Sequence, residues 1–290
     1  MSDQASGTGF THTDLPHVGK QVLRMGVAGN YGLETSDVQH AADQGVGFWL
    51  WSPGFKKVTP VLKELLRRER ERHVVAAYTG TWGTVITAGQ VRKGTEKALR
   101  ILGIDQIDVL LVGWLGRVSR FTPRIQDELV QLKQEGKARV IGTSIHDRVR
   151  AGKLARDSIL DAFMIRYNAK HPGAEQDIFP HLEGRHPTVI AYTATSWRQL
   201  LKPIKRIDMP GWPGTPSGDQ TPPPPLTAKL CYRFCLTSPH VNVVLTGPKT
   251  RDQLDENLGA LEAGPLSPDE EVWVREYGRK VKAKKRLPYV

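Results

Sequence analysis

Ile107-Asp-Val-Leu-Leu-Val112, then Arg124-Ile-Gln-Asp-Glu-Leu-Val-Gln-Leu-Lys-Gln-Glu135, then Arg139-Val-Ile-Gly-Thr-Ser144 follow one another in the middle of the chain. The outer two are apolar runs of strand length, and the middle one repeats its apolar residues at helical spacing. A strand, a helix and a second strand in that order imply a right-handed crossover between parallel strands, because a parallel partner is reached only by crossing back over the sheet. The same alternation runs in both directions. Strand-like segments are read at Val22 to Gly29, Gly47 to Trp51, His73 to Tyr78, Ala162 to Arg166, Thr188 to Tyr192 and Val241 to Thr246, with helical patterns at Ser36 to Gln44, Val58 to Arg70, Gln90 to Leu102 and Arg251 to Leu261. Eight such strands predict an α/β fold of the closed (β/α)8 TIM-barrel type, one domain over residues 1–290. An open doubly wound sheet needs fewer strands and favours a glycine-rich phosphate turn. Gly26-Val-Ala-Gly29-Asn-Tyr-Gly32 has the wrong glycine spacing for it.

Gly45, Gly103 and Gly136 each follow a helical pattern, where a left-handed cap is expected. Residues 203–225 contain Pro210-Gly-Trp-Pro-Gly214 and four consecutive prolines at 222–225, which rule out a regular helix or central strand. This loop follows the seventh strand, on the face of a barrel where active-site loops project, so it reads either as a substrate lid or as a passive insertion. Ser267 to Lys285 opens with Ser-Pro-Asp-Glu-Glu and predicts an additional C-terminal helix.

Composition restricts the function classes. The 290 residues are 39% hydrophobic and 24% charged, with a formal charge of +11. The basic residues are dispersed and show no interleaved aromatic ladder, so a specific nucleic-acid role is not expected. No basic, apolar leader and no apolar run of membrane-span length is present, which predicts a soluble cytoplasmic protein. Cys231 and Cys235 lie four apart in a helical pattern and read as small packed hydrophobes, and no metal site is expected.

Four blocks carry a resemblance. Gly136-Lys-Ala-Arg-Val-Ile-Gly-Thr-Ser144, Tyr167-Asn168, Val189-Ile-Ala-Tyr192-Thr and Val244-Leu-Thr-Gly-Pro-Lys249-Thr-Arg-Asp-Gln-Leu-Asp-Glu-Asn257 together resemble the fifth to eighth strands of the aldo/keto reductase family. The resemblance covers nearly the whole chain. It implies a nicotinamide cofactor, usually NADP, across the C-terminal mouth of the barrel, with Tyr192 stacking on the nicotinamide and Ser144 holding its carboxamide. Ile145 and Met164 replace the family's other amide-holding groups. At the adenosine end, Lys249, Thr250 and Arg251 match the 2′-phosphate site at a helix start, where backbone N–H groups and the helix dipole favour an anion. Gln253, Glu256 and Asn257 match positions facing the adenine, although Glu256 and Asn257 also read as ordinary polar surface.

The resemblance also implies an Asp, Tyr, Lys and His tetrad, and this sequence departs from it at all four positions. Leu50, Phe55, Tyr78 and Gly113 stand there. Leu50 and Phe55 transfer no proton. Removing the charged set together leaves no unpaired buried ion. Tyr78 is the proton donor that remains, with Lys56 as a neighbour, or it is a hydrogen-bonded core tyrosine; His146 is a second candidate acid. The expected pocket is apolar, ringed by Trp49, Trp51, Trp82, Trp114 and Trp212, for a small apolar or aromatic substrate. Three functions remain open: an NADP(H)-dependent oxidoreductase with an atypical acid, an inactive cofactor-binding sensor or interaction protein, and a non-redox reaction in the same pocket. Oligomeric state is open.

Overall fold

Leu62, Leu65 and Leu66 fall on one side of the helix Thr59–Arg68 and are buried, while Arg67 and Arg68 end it in solvent. Each fully buried leucine contributes roughly 1.5–3 kcal/mol, so the apolar stripe decides which face meets the sheet. The same logic repeats around the molecule. A computed structural model describes residues 9–79, 87–115, 121–204, 209, 211–213 and 224–284, the side chain of residue 114 excepted. The strands are β1 (His12–Leu15), β2 (Lys20–Leu23), β3 (Met25–Ala28), β4 (Phe48–Trp51), β5 (Val74–Tyr78), β6 (Ile107–Leu115), β7 (Ala138–Ile145), β8 (Ala162–Arg166), β9 (Thr188–Tyr192) and β10 (Val243–Thr246). The α-helices are α1 (Thr35–Asp43), α2 (Thr59–Arg68), α3 (Ala88–Leu102), α4 (Pro123–Gln134), α5 (Arg148–Asp157), α6 (Ala174–Asp177), α7 (Ala228–Thr237), α8 (Arg251–Glu262) and α9 (Pro268–Lys284).

Strands β3 to β10 close into a parallel barrel in sequence order, β10 pairing with β3. This is the expected (β/α)8 TIM barrel, and α9 is the expected additional C-terminal helix. Strand alternation sorts the core into two layers. Phe48, Val74, Ala76, Tyr78, Val109, Leu111, Met164 and Ile190 fill the barrel, whereas Trp49, Trp51, Val75, Ala77, Leu110 and Phe163 pack outward against the helices. Gly45, Gly103 and Gly136 take positive φ values of 89°, 69° and 73° behind their helices, as their positions predict.

One expectation changes. The run from Val22 to Gly29 is two strands, not one. Arg24 turns the chain between them: its N–H donates to Thr11 O at 2.9 Å and its carbonyl accepts from Val244 N at 2.8 Å. The first half belongs to the antiparallel hairpin β1–β2, whose Leu15, Val18 and Val22 plug the barrel from its N-terminal end. Beneath the plug, Lys20 is buried, 3.1 Å from the fully buried Asp108, which also meets Arg70 at 3.0 Å. The Lys20 ammonium donates to Arg70 O at 2.8 Å and His73 O at 3.0 Å, and Asp108 accepts from Val75 N–H at 3.0 Å.

Helix α5 occupies a stretch without a marked hydrophobic pattern, because its buried positions are Ala151, Gly152 and Ala155. Most of residues 203–225 lies outside the described residues, as do Trp82 and Lys285.

Candidate active site at the C-terminal mouth of the barrel

A cavity of about 850 Å³ opens on the C-terminal side of β3, β4 and β5. Its walls are the loop after β3 (Gly29 to Leu33), the loop after β4 (Ser52 to Lys57), the end of β5 at Tyr78 and Thr79, and one face of α3. Gln90, Lys93, Gly94 and Lys97 form that face, at the spacing that puts residues on one side of a helix. Thr87 and Gln90 hold the helix start in a capping box, which fixes where Lys93 and Lys97 stand.

Tyr78 and Phe55 both line this cavity, while Leu50 faces the barrel interior next to it. Tyr78 and Gly113 fit each other sterically. A Cβ at position 113 would stand 3.2 Å from Cε1 and 3.9 Å from Cδ1 of the Tyr78 ring. The Tyr78 ring therefore occupies space that any side chain at 113 would claim, and the strand register of β6 shifts between Val112 and Leu115 at that point.

On the opposite side of the mouth, Tyr192 ends β9. Its hydroxyl lies 3.1 Å from both ring nitrogens of His146, and the rings meet edge to face with centroids 5.8 Å apart. Burial pushes the Tyr192 hydroxyl up to about 12, against the Arg166 charge and the Ser144 hydroxyl, which favour ionisation. Burial and the same Arg166 lower the His146 imidazole, so His146 is a neutral partner at pH 7. Ser144 is fully buried in β7, paired in register with Met164. His146 thus faces Tyr192, not the cavity containing Tyr78.

The segment after β9 had no sequence signal. Thr193, Ser196, Trp197 and Arg198 all have φ between 50° and 65°, a left-handed conformation uncommon for residues with side chains and costly unless the surroundings enforce it. The enforcement comes from the end of β8. Asn168 donates to Thr193 O at 2.8 Å, and Lys170 donates to Gln199 Oε1. These residues belong to the mouth by position.

At α8, Thr250 is the N-cap and accepts from Gln253 N–H at 3.3 Å, while Gln253 Oε1 accepts from Lys249 N–H at 3.0 Å. Gln253 is therefore a capping residue here. Arg251 is tied to Asp37 at 3.2 Å and reaches Ser36 O at 3.4 Å. Lys249 and Glu256 are exposed. Asn257 is not surface: it is buried, donates to Thr246 Oγ1 at 2.8 Å, and its Oδ1 has no hydrogen-bond partner among the described residues. A helix start carrying Lys249 and Arg251, with a buried acceptor nearly two turns further on, fits the phosphate and adenine end of a dinucleotide. Tyr31 covers Gly247 between the two ends, so closely that a Cβ at 247 would enter its ring.

Of the tryptophans expected around the pocket, the side chains of Trp82 and Trp114 lie outside the described residues, and the other three do not line it. Trp49 and Trp51 are fully buried in the outer layer, donating to His73 Nδ1 at 3.2 Å and Thr59 Oγ1 at 3.0 Å. The period of two in β4 sends them outward while Phe48 and Leu50 point inward. Trp212 packs on Trp273 of α9, centroids 5.0 Å apart. The cavity instead has an apolar floor, including Leu33, Phe55 and Tyr78, and a rim of lysines.

The aldo/keto reductase family model matches residues 30–203. The chain belongs to that family, whose members are NAD(P)-dependent oxidoreductases. It is 25% identical to L-galactose dehydrogenase of Arabidopsis thaliana, across 81% of this chain and 80% of that protein. It is 28% identical to NADH-specific methylglyoxal reductase of Escherichia coli K12, across 42% of this chain and 38% of that protein. Among solved structures, aldo-keto reductase AKR11C1 from Bacillus halodurans in its holo form superimposes with a TM-score of 0.71 at 17% identity, covering 92% of this chain and 96% of that one. Glycerol dehydrogenase AKR11B4 from Gluconobacter oxydans also has a TM-score of 0.71, at 19% identity, covering 98% of this chain and 99% of that one.

Proposed function

We propose that this protein is an NADP(H)-dependent oxidoreductase that interconverts a carbonyl compound and its alcohol, using Tyr78 in place of the family's usual acid. The observation that carries this reading is the pairing of Tyr78 with Gly113: the missing side chain at 113 makes room for a phenol at the cavity floor, where Lys56 also lines the wall. When bound, the nicotinamide supplies a hydride to the carbonyl carbon. Tyr78, whose hydroxyl oxygen is buried in this structure, would turn toward the cavity to donate its proton to the carbonyl oxygen as charge develops there, and would recover it from solvent by the same movement. Nearby lysine charge lowers the cost of the phenolate left behind. Leu50 and Phe55 keep the floor apolar, which strengthens each remaining electrostatic contact.

Tyr192 and Ser144 would hold the nicotinamide, and Lys249, Thr250 and Arg251 the 2′-phosphate, with Gln253, Glu256 and Asn257 near the adenine. A second reading is a cofactor-binding protein without turnover. Leu50 and Phe55 favour it, because neither position can relay a proton.

Titration with NADPH followed by protein fluorescence, then a panel of aldehydes and ketones followed by NADPH absorbance, separates the two. Tyr78→Phe should lower kcat by roughly 100-fold or more, the usual contribution of a positioned acid. Binding without turnover on the whole panel would favour the second reading. Full activity in Tyr78→Phe would remove Tyr78 as the acid.

A further inference from the structure

The cavity rim sorts its charges in one direction. Lys56 and Lys57 come from the loop after β4, and Lys93 and Lys97 stand one turn apart on α3. Among the described residues, no carboxylate lines the cavity. Lys57 is neutralised by Glu34, but among the described residues no acidic group pairs with Lys56, Lys93 or Lys97. The acid that α3 does carry, Glu96, is turned away from the cavity to Lys137 at 2.9 Å. Arg92 turns the same way, meeting Glu135 at 2.8 Å. The helix thus spends its ion pairs on the side facing α4 and presents two free ammonium groups to the cavity.

A concave, low-dielectric wall focuses the field of charges at its rim, and three ammonium groups approaching from two elements surround the opening instead of forming a flat patch. The floor below them holds Phe55 and the Tyr78 ring. We infer that the substrate is an anionic carbonyl compound: a carboxylate or phosphate group held by Lys56, Lys93 and Lys97 at the rim, with its carbonyl end on the apolar floor beside Tyr78. This assignment rests on the oxidoreductase reading above and names the substrate class for the same site. It differs from the small apolar or aromatic substrate that the sequence predicts by adding an anionic group.

The test uses three matched probes that differ only at the para position: benzaldehyde, 4-carboxybenzaldehyde and 4-formylphenyl phosphate. With NADPH and the full-length protein at low ionic strength, the anionic aldehydes should show kcat/KM at least about 10-fold above benzaldehyde, the factor that focused charge gives to association. The preference should shrink several-fold on raising salt to about 0.5 M, where screening acts within a few ångströms. The two anionic arms distinguish a carboxylate from a phosphate preference. In Lys93→Gln/Lys97→Gln, which keeps helix-compatible side chains at exposed positions, the ratio of anionic to neutral kcat/KM should fall about 10-fold. An unchanged ratio, or benzaldehyde turned over as well as its charged analogues, would overturn the assignment.

A binding arm separates this result from the redox reading. Calorimetric titration with benzoate and phenyl phosphate requires no turnover. Saturable binding lost in the double variant, with no aldehyde reduced, supports the anion site and overturns only the oxidoreductase reading. Absence of binding together with absence of charge preference overturns the anion site itself.

Discussion

Replacing Gly113 by alanine tests whether Tyr78 and Gly113 form a single steric unit. The new Cβ would stand 3.2 Å from Tyr78 Cε1, tighter than ordinary contact, in a barrel interior where Tyr78 is 7% exposed. Two terms of opposite sign act. Alanine in a strand gains roughly 0.5–1 kcal/mol over glycine through backbone entropy. Overpacking a filled core costs about 1–3 kcal/mol. In the native background the net change is therefore between neutrality and a loss of about 2.5 kcal/mol. In a Tyr78→Leu background the shorter side chain removes the clash, and the same Gly113→Ala change should become stabilising by roughly 0.5–1 kcal/mol. The entropy term cancels around the double-mutant cycle, leaving a coupling of about 1–3 kcal/mol that belongs to the ring contact alone. Urea unfolding of the four proteins, followed by tryptophan fluorescence, measures it. Additivity within about 0.5 kcal/mol would refute the argument that the residue at 113 is small because the residue at 78 is a tyrosine.

Three further outcomes follow from the geometry. Burial holds the His73 imidazole down to about 4, against the opposing pull of Glu69, while its Nδ1 accepts from Trp49. The unfolded chain binds that proton more readily, so stability is full above pH 6.5 and is lost as pH falls from 6.5 towards 4, by on the order of 2–3 kcal/mol. Urea midpoints at pH 7, 6 and 5 should show this slope, and His73→Gln should flatten it. Asp37→Asn releases Arg251 from its partner and should tighten NADPH binding several-fold in a fluorescence titration, while unchanged affinity would place the 2′-phosphate away from Arg251. Lys20→Met leaves the fully buried Asp108 with Arg70 as its ion-pair partner and should cost about 3 kcal/mol or more in urea unfolding; a loss below about 1 kcal/mol would show that Arg70 alone compensates Asp108.

The barrel was legible because its strands alternate with helices whose buried faces carry large apolar residues at helical spacing, as with Val61, Leu62, Leu65 and Leu66 of α2 and Val91 and Leu102 of α3. Helix α5 was not, because alanine and glycine make its contact with α6: a side chain at 152 would collide with Asp177 O. The hairpin was hidden because Val22 and Met25 are both buried apolar residues on either side of Arg24, and composition does not record that one fills the barrel's end and the other its wall. The site divided in the same way. Residues on strands, such as Tyr78, Ser144 and Tyr192, keep their place once the register is known. The lysine rim joins a loop after β4 to a face of α3, two segments about forty residues apart that only the closed barrel brings together. The left-handed residues after β9 are held by Asn168 and Lys170 from the loop after β8, and nothing in Thr193-Ala-Thr-Ser-Trp-Arg198 itself demands that conformation.

The hairpin that plugs the barrel has an order of events built into it. His17 Nε2 meets Arg185 O at 2.8 Å, Arg139 donates to Val18 O at 2.9 Å, and Thr188 Oγ1 donates to Pro16 O at 2.8 Å. The hairpin, made before any strand of the barrel, therefore finds its last partners only after β9 has begun to emerge from the ribosome. Until then Leu15, Val18 and Val22 have no barrel interior to enter. Their apolar side chains wait for burial until the barrel is nearly complete, and aggregation or chaperone capture during synthesis should concentrate on the hairpin rather than on the strands made last.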